Sequence, residues 1–424
     1  METLGTVRTF TQDDADLVRS LAIELYRLRP MDGEQYVSAP TQQKTSLRER
    51  IFSALGRGMV GNISAPLEAS KVRSILLFRY DALGDYIASS GLLDWLHAAI
   101  PNVAIDVVAS YRNKAFLESD PRIRSVVAIH PAHSFRPSWL RVRAAGKKTQ
   151  YDVLIAAVFT KMTKAAILTR LATRTALTVT IRHNDRAHIY GKVFAVQVPH
   201  RTTEHWAETM TRIGPMCVQP EQPLTAQYPP RIPIDASASA ATQGWLNQRG
   251  IAWGVAMPRK GLFSTEPLPA ATQGRRYVVV NISAYSPNRR WKRESCVPVI
   301  EELRRRYPHI AVLVSGAPQD AEEVRQIVSA INDVSVLAWQ GSFLQLIALI
   351  SGAMLLVSPD TATIHVAAAA EVPCVVMFAE LIKVAEWYPY GVPFRGIVSA
   401  TPETINTISY STIVDAVVEM LPNV

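Results

Sequence analysis

Four stretches of the chain carry residues whose type and spacing could do chemistry. The first is RYDALGDYIAS, residues 79–89, where Asp81 and Asp85 stand four apart around Gly84. It follows the apolar run SILLF and precedes a helix-compatible stretch, so both aspartates fall on a strand-to-helix turn. Such a turn lies beyond the carboxyl end of a strand, where open α/β sheets bind ligands. An aspartate there is either a helix cap or a general base facing a ligand, and the residues alone leave both readings open. The second stretch, NISAYSPNRRWKRE, sets Arg289, Arg290 and Lys292 just past a strand end, with Ser283, Ser286 and Asn288 nearby. Cationic forks with small hydroxyl and amide groups suit a diphosphate. The third is SPDTATIHVAAAAEVPCVVMF, in which Asp360 and Thr361 precede a helix of small apolar residues and His365 falls in its first turns. A helix start of this kind offers N–H groups and a positive dipole end to an anion. In the fourth, Lys161, Lys164, Arg170 and Arg174 lie on or beside one helix. Lys161 and Lys164, at its beginning, could hold an anionic acceptor, or the residues form a basic solvated face.

These stretches must be positioned by a regular scaffold, and the pattern of the chain supplies one. From Val72 onward, short apolar runs such as VRSILLF, AIDVVAS and YDVLIAAV alternate with helical segments such as SGLLDWLHAAIP. The alternation resumes at YVVVNIS and runs through HIAVLVSG, VSVLAW, MLLVSP and PCVVMF. Strands and helices of these lengths predict parallel sheets covered on both faces, in two doubly wound halves facing a cleft. No G-x-G-x-x-G follows the first strand, so a dinucleotide fingerprint is lacking. Residues 220–275, rich in Pro, Gln, Ala and Gly, read as the connection between the halves. The expected division is a helical extension over 1–70, a first domain over 71–255 and a second over 256–408. A helix over 409–424 is expected to cross back to the first domain. The extension is expected to be helical because Leu17, Leu21, Leu25 and Leu28 recur at helical spacing, and because Ser46-x-x-Glu49 forms a capping box before a short helix that stops at Gly56. This extension is expected to pack on the body.

Bulk composition narrows the function classes. The 424 residues are 48% hydrophobic and 19% charged, as in a soluble globular protein of two domains. Cys217, Cys296 and Cys374 are far apart, which suggests neither a disulfide framework nor a zinc site. The first residues carry acids and no apolar core, unlike an ordinary signal peptide, so a cytoplasmic location is expected. The uncharged stretch Gln340–Pro359 is broken by glycines and serines and reads as a buried helix followed by a strand. The net charge is +9, and residues 134–203 hold thirteen Lys/Arg against two acids. That localised field suggests a phosphorylated substrate or the acidic face of the cytoplasmic membrane. Nucleic acid is not expected, because the few aromatic residues of the segment are explicable as core.

Taken together, the first three elements resemble the heptosyltransferase family, glycosyltransferase family 9, of the GT-B fold. The resemblance rests on ILLFRYDALGDYIASSGLLDWL, VVVNISAYSPNRRWKRESCVPVIEEL and SFLQLIALISGAMLLVSPDTATIHVAAAAEVPCVVMFAE, with weaker support from HWAETMTRIG and EWYPYGVPF. It implies inverting, metal-independent transfer of a sugar, typically heptose from ADP-heptose, to a growing glycan of lipopolysaccharide or a related surface polysaccharide. It implies that Asp85 is the catalytic base and that Arg289 contacts the donor phosphates, where a Lys is common. Asp360 and His365 correspond to the D-[ST]-G-x-x-H element, with Thr361 and Ala362 between them. Ser283 would join this donor site, and Asp81, Lys161 and Lys164 would contact the acceptor. The chain departs from the family pattern in two places. Ala362 replaces the usual Gly, so a phosphate approaching that backbone meets a methyl group. Phe378-Ala379-Glu380 replaces the usual Phe-Gly-Pro and adds a carboxylate. These departures motivate an alternative reading, a catalytically decayed binding or scaffold protein, and a sugar-nucleotide epimerase of the same architecture is a further alternative.

Overall fold

A computed structural model describes residues 8–10, 47–57, 63–130, 135–158, 162–182, 187–200, 204–253 and 261–421. The helix expected over Leu17–Leu28 and the residue Lys161 lie outside these. The described strands are β1 (Arg8–Phe10), β2 (Ser74–Arg79), β3 (Ala104–Ser110), β4 (Ser125–Ile129), β5 (Val153–Ala156), β6 (Leu177–Arg182), β7 (Val196–Pro199), β8 (Tyr277–Asn281), β9 (Ala311–Ser315), β10 (Val336–Trp339), β11 (Leu355–Pro359), β12 (Cys374–Phe378) and β13 (Phe394–Val398), besides a few two-residue pairings. The helices are α1 (Leu47–Gly56), α2 (Leu83–Ser89), α3 (Gly91–Ala99), α4 (Lys114–Glu118), α5 (Phe135–Lys148), α6 (Met162–Ala172), α7 (Ala187–Tyr190), α8 (Trp206–Cys217), α9 (Ala236–Asn247), α10 (Arg293–Arg306), α11 (Ala321–Ile331), α12 (Phe343–Ser351), α13 (Ala362–Ala369), α14 (Leu381–Trp387) and α15 (Tyr410–Met420).

The chain divides into two units, residues 24–229 and residues 1–23 with 230–424. The sheet of the first unit has the order β4-β3-β2-β5-β6-β7, all parallel. Every residue of β2 and β5 is buried, as expected of strands covered on both faces. The sheet of the second unit has the order β1-β13-β12-β11-β8-β9-β10. Its strands β8–β13 are parallel, and β1 adds to the edge antiparallel, with Arg8 opposite Val398. Both six-stranded parallel sheets reverse direction in strand order once, between β2 and β5 in the first and between β8 and β11 in the second. Crossovers on either side of such a point leave in opposite directions and open a crevice at the strands' carboxyl ends.

Three features differ from the sequence expectation. The N-terminal extension contributes a strand, β1, to the second sheet; among its described residues only α1 is α-helical. As expected, α1 packs on the body: fully buried Phe52 stacks on Tyr190 with centroids 5.5 Å apart. The boundary between units falls near residue 230, not 255. The segment after 230 belongs with the second sheet, because α9 packs on α12 and the Trp253 indole N–H donates to the Ala348 carbonyl at 2.9 Å. Finally, α15 does not cross to the first unit. Ile413, Val414 and Val417 enter the core formed by α10 and the second sheet. The run Gln340–Pro359 forms α12 and β11, and among the described residues no helix is long and apolar enough to cross a membrane. The three cysteines are buried and free.

Two helical glycines test the packing. A Cβ on Gly214 of α8 would sit 2.2 Å from the Trp95 ring of α3, whereas one on Gly244 of α9 meets nothing within 4 Å. Gly214→Ala should therefore lower the thermal midpoint. Gly244→Ala should raise stability by about 0.5–1 kcal/mol through backbone entropy. Thermal melts of the two variants check the opposite signs.

Candidate active site

In the first unit the strand-order reversal lies between β2 and β5, and the turn after β2 holds both aspartates. Arg79, the last residue of β2, is fully buried. Its guanidinium donates to the Ala157 carbonyl and pairs with Asp81 at 3.4 Å, where the Asp81 side chain is only 2% exposed. Asn113, after β3, donates to the Asp81 carbonyl at 3.0 Å and ties the two loops together. Asp81 is thus the carboxylate of a buried ion pair. Asp85 differs. It is half-buried at the third position of α2, and one carboxylate oxygen accepts from the Ala82 N–H at 3.0 Å. A capping bond and partial exposure therefore coexist in one residue.

Lys164, in the first turn of α6 beyond β5, borders the same reversal point. Its ammonium lies 5.6 Å from the Tyr80 ring centroid and donates to the His130 carbonyl. Burial pulls its pKa below the usual lysine value. Next to it, α5 presents exposed Arg141, Arg143, Lys147 and Lys148, so part of the basic segment is a solvent-facing surface.

In the second unit the reversal lies between β8 and β11, and the loops there contain the other two predicted stretches. Arg289 ends a 3-10 turn, Pro287–Arg289. Its guanidinium donates to the Asp360 carboxylate at 2.7 Å and to the Asp360 carbonyl at 2.9 Å. The Arg289 side chain keeps 27% of its surface exposed, against 7% for Asp360. Thr361 is the N-cap of α13 in extended conformation, so the first-turn N–H groups from Ala362 onward begin next to Arg289. Ala362 is half-buried at that start. Ser283 is committed elsewhere: its hydroxyl donates to Asp320 at 2.5 Å and accepts from the Ala317 N–H at 2.7 Å. Through these two bonds it braces the loop.

His365 is buried in the second turn of α13, with its ring 5.8 Å from that of Trp387 on α14. Burial lowers its pKa to about 4, so the imidazole is neutral near pH 7.

Sequence reasoning missed the knot that joins β8 to β11. The Asn281 amide donates to the Ser283 carbonyl at 3.0 Å and to the Ser358 hydroxyl at 3.0 Å. Ser358 also shares a 2.9 Å hydrogen bond with Thr363 of α13. Polar residues ending otherwise apolar strands, in YVVVN and LLVSP, are the signal that could have found it. Lys383 of α14 was missed as well. Its amine donates to Glu386 at 2.7 Å.

Two predictions follow from burial. Replacing Asp81 by Asn removes the carboxylate charge from beside a fully buried guanidinium and should cost about 3 kcal/mol or more in denaturant unfolding, whereas Asp85→Asn should cost about 1 kcal/mol, the scale of a cap. The second concerns pH. The folded state holds His365 neutral down to about pH 4. The unfolded chain protonates it near 6.5, so stability falls as pH drops from about 6.5 to about 4 and this contribution then levels off. His365→Asn should flatten that part of the stability–pH curve relative to the parent chain.

The geometry has counterparts. The family described as glycosyltransferase family 9 (heptosyltransferase) matches residues 139–409. Among solved structures, a family 9 glycosyl transferase from Veillonella parvula superposes with a TM-score of 0.63 at 16% identity, covering 84% of this chain and 99% of the other. The ADP-heptose lps heptosyltransferase II of E. coli gives 0.61 at 17% identity, over 82% of this chain and 98% of the other. The E. coli heptosyltransferase WaaC with ADP gives 0.57 at 15% identity, over 82% and 100%. At these identities the structures establish the shared GT-B fold. No protein of curated function matches the sequence.

Proposed function

The chain belongs to glycosyltransferase family 9, and we propose that it transfers a heptose, by inversion and without a metal, from ADP-heptose to an anionic glycan of a surface lipopolysaccharide. The observation that carries this reading is the placement of the predicted residues. Asp85 lies at the strand-order reversal of one sheet, and Arg289 with the start of α13 lies at the reversal of the other. The donor nucleotide and sugar are those in the names of similar heptosyltransferases.

In this reading the second unit holds the donor. Arg289 and the N–H groups at the start of α13 receive the diphosphate, and Asp360 keeps the guanidinium in place until it arrives. Neutral His365 shapes the pocket without adding charge. The first unit presents the acceptor, with Lys164 and the basic face of α5 attracting its negative groups or an acidic membrane surface. Asp85 takes the proton of the acceptor hydroxyl as that oxygen bonds to the anomeric carbon. The bond from that carbon to the diphosphate oxygen breaks on the opposite face, and its electron pair leaves with the nucleoside diphosphate. The cationic side chain and helix N–H groups stabilise the charge that develops there.

Ala362 and Glu380 favour a second reading, in which the protein binds a nucleotide sugar or glycan and transfers nothing. One experiment separates the two. The purified protein is screened for thermal stabilisation by ADP-, UDP- and GDP-sugars, and transfer from the stabilising sugar to a glycolipid extract is then followed. The proposal expects ADP-heptose to stabilise and to be consumed. It also expects Asp85→Asn to remove transfer while leaving stabilisation within about twofold in affinity. Normal transfer by that variant would remove Asp85 from the base role, and stabilisation with no transfer by the parent chain would favour the binding reading.

A further inference from the structure

The helix after β12 carries a cation that the family pattern did not point to. Helices α13 and α14 leave the carboxyl ends of the neighbouring parallel strands β11 and β12. His365 of α13 and Trp387 of α14 meet, with ring centroids 5.8 Å apart. Lys383 is one helical turn before Trp387, and Thr361, the cap of α13, is the same number of residues before His365. Residues four apart share a helix face, so Lys383 lies on the face of α14 whose Trp387 meets α13, the helix that begins beside the Arg289–Asp360 pair.

The surroundings of Lys383 agree with this placement. Its side chain is 41% exposed, and its amine is paired with Glu386 at 2.7 Å. Burial pulls its pKa down, but Glu386 and then Asp360 and Glu380 outweigh that effect and hold it above the ordinary lysine value. Glu380, the carboxylate that departs from the family pattern, is thus one of the negative charges that favour the protonated lysine. The arrangement mirrors Arg289, a partly exposed cation held by one carboxylate at 2.7 Å.

We propose that Lys383 is a second phosphate-binding cation of the donor site, held by Glu386 at rest and transferred to the donor's diphosphate on binding. The inference rests on the donor reading above. A diphosphate offers more charge and more acceptor oxygens than one carboxylate, so it can draw the ammonium away. Glu386 is then a positioning residue that competes with the ligand.

The test is a calorimetric titration of the full chain with ADP, UDP and GDP, each beside its monophosphate. Lys383→Ala should weaken binding of the preferred diphosphate roughly tenfold, the scale of one charge-assisted hydrogen bond, and should change monophosphate binding much less. Lys383→Arg should keep most of the affinity. Glu386→Gln should tighten diphosphate binding severalfold, because it releases the lysine. The two sides of one ion pair thus move affinity in opposite directions, which a purely structural bridge would not do. If Lys383→Ala and Glu386→Gln weaken binding alike, or if Lys383→Ala leaves the diphosphate preference intact, the inference is wrong. Loss of binding in Arg289→Ala alone would then leave the donor reading standing. If the parent chain binds none of the three diphosphates, the donor reading falls and this inference with it.

Discussion

Burial of the parallel strands on both faces is the constraint from which the rest follows. β8, β9, β11 and β12 bury every residue, and so does β2 in the other sheet. Strands of this kind leave polar chemistry no place along their length. It gathers at their ends, and at the carboxyl ends the reversal in strand order opens space for a ligand. Asp85, Arg289 and Asp360 all follow directly from strands that border such a reversal.

Charge at these ends is arranged in pairs whose burial decides their work. Arg79 and Asp81 are both closed off from solvent and serve to fix the turn that carries Asp85. Arg289 and Lys383 are held by Asp360 and Glu386 but keep part of their surface open. A fully buried pair cannot trade partners without leaving a desolvated charge behind. A partly open one can, at small cost, when a stronger anion arrives. The same chemistry of carboxylate and cation therefore yields a closed clamp in one unit and two partly open pairs in the other.

Much of this was legible in the sequence because it is local. A strand, the turn after it and the next helix are contiguous, so Asp85, Arg289 and the Asp360–His365 element could be placed at strand ends by pattern alone. What depended on distant contacts could not be read this way. Asp81 and Asp85 look alike in RYDALGDYIAS, and only the inward turn of Arg79 separates them. The meeting of α13 and α14 at His365 and Trp387 needs the packing of two helices. The pairing of β1 with β13 joins residues nearly 400 apart in the chain. The division near residue 230 and the return of α15 to its own sheet likewise follow from apolar contacts that no local pattern encodes.

The central claim is an inverting displacement in which the acceptor oxygen attacks opposite the departing diphosphate. The most direct measurement is the anomeric configuration of the transferred sugar, read by NMR in the product formed from the nucleotide sugar that the protein consumes. A configuration inverted relative to the donor is the predicted result. A retained configuration would contradict the account, because it would require a second displacement that a single base at Asp85 does not supply.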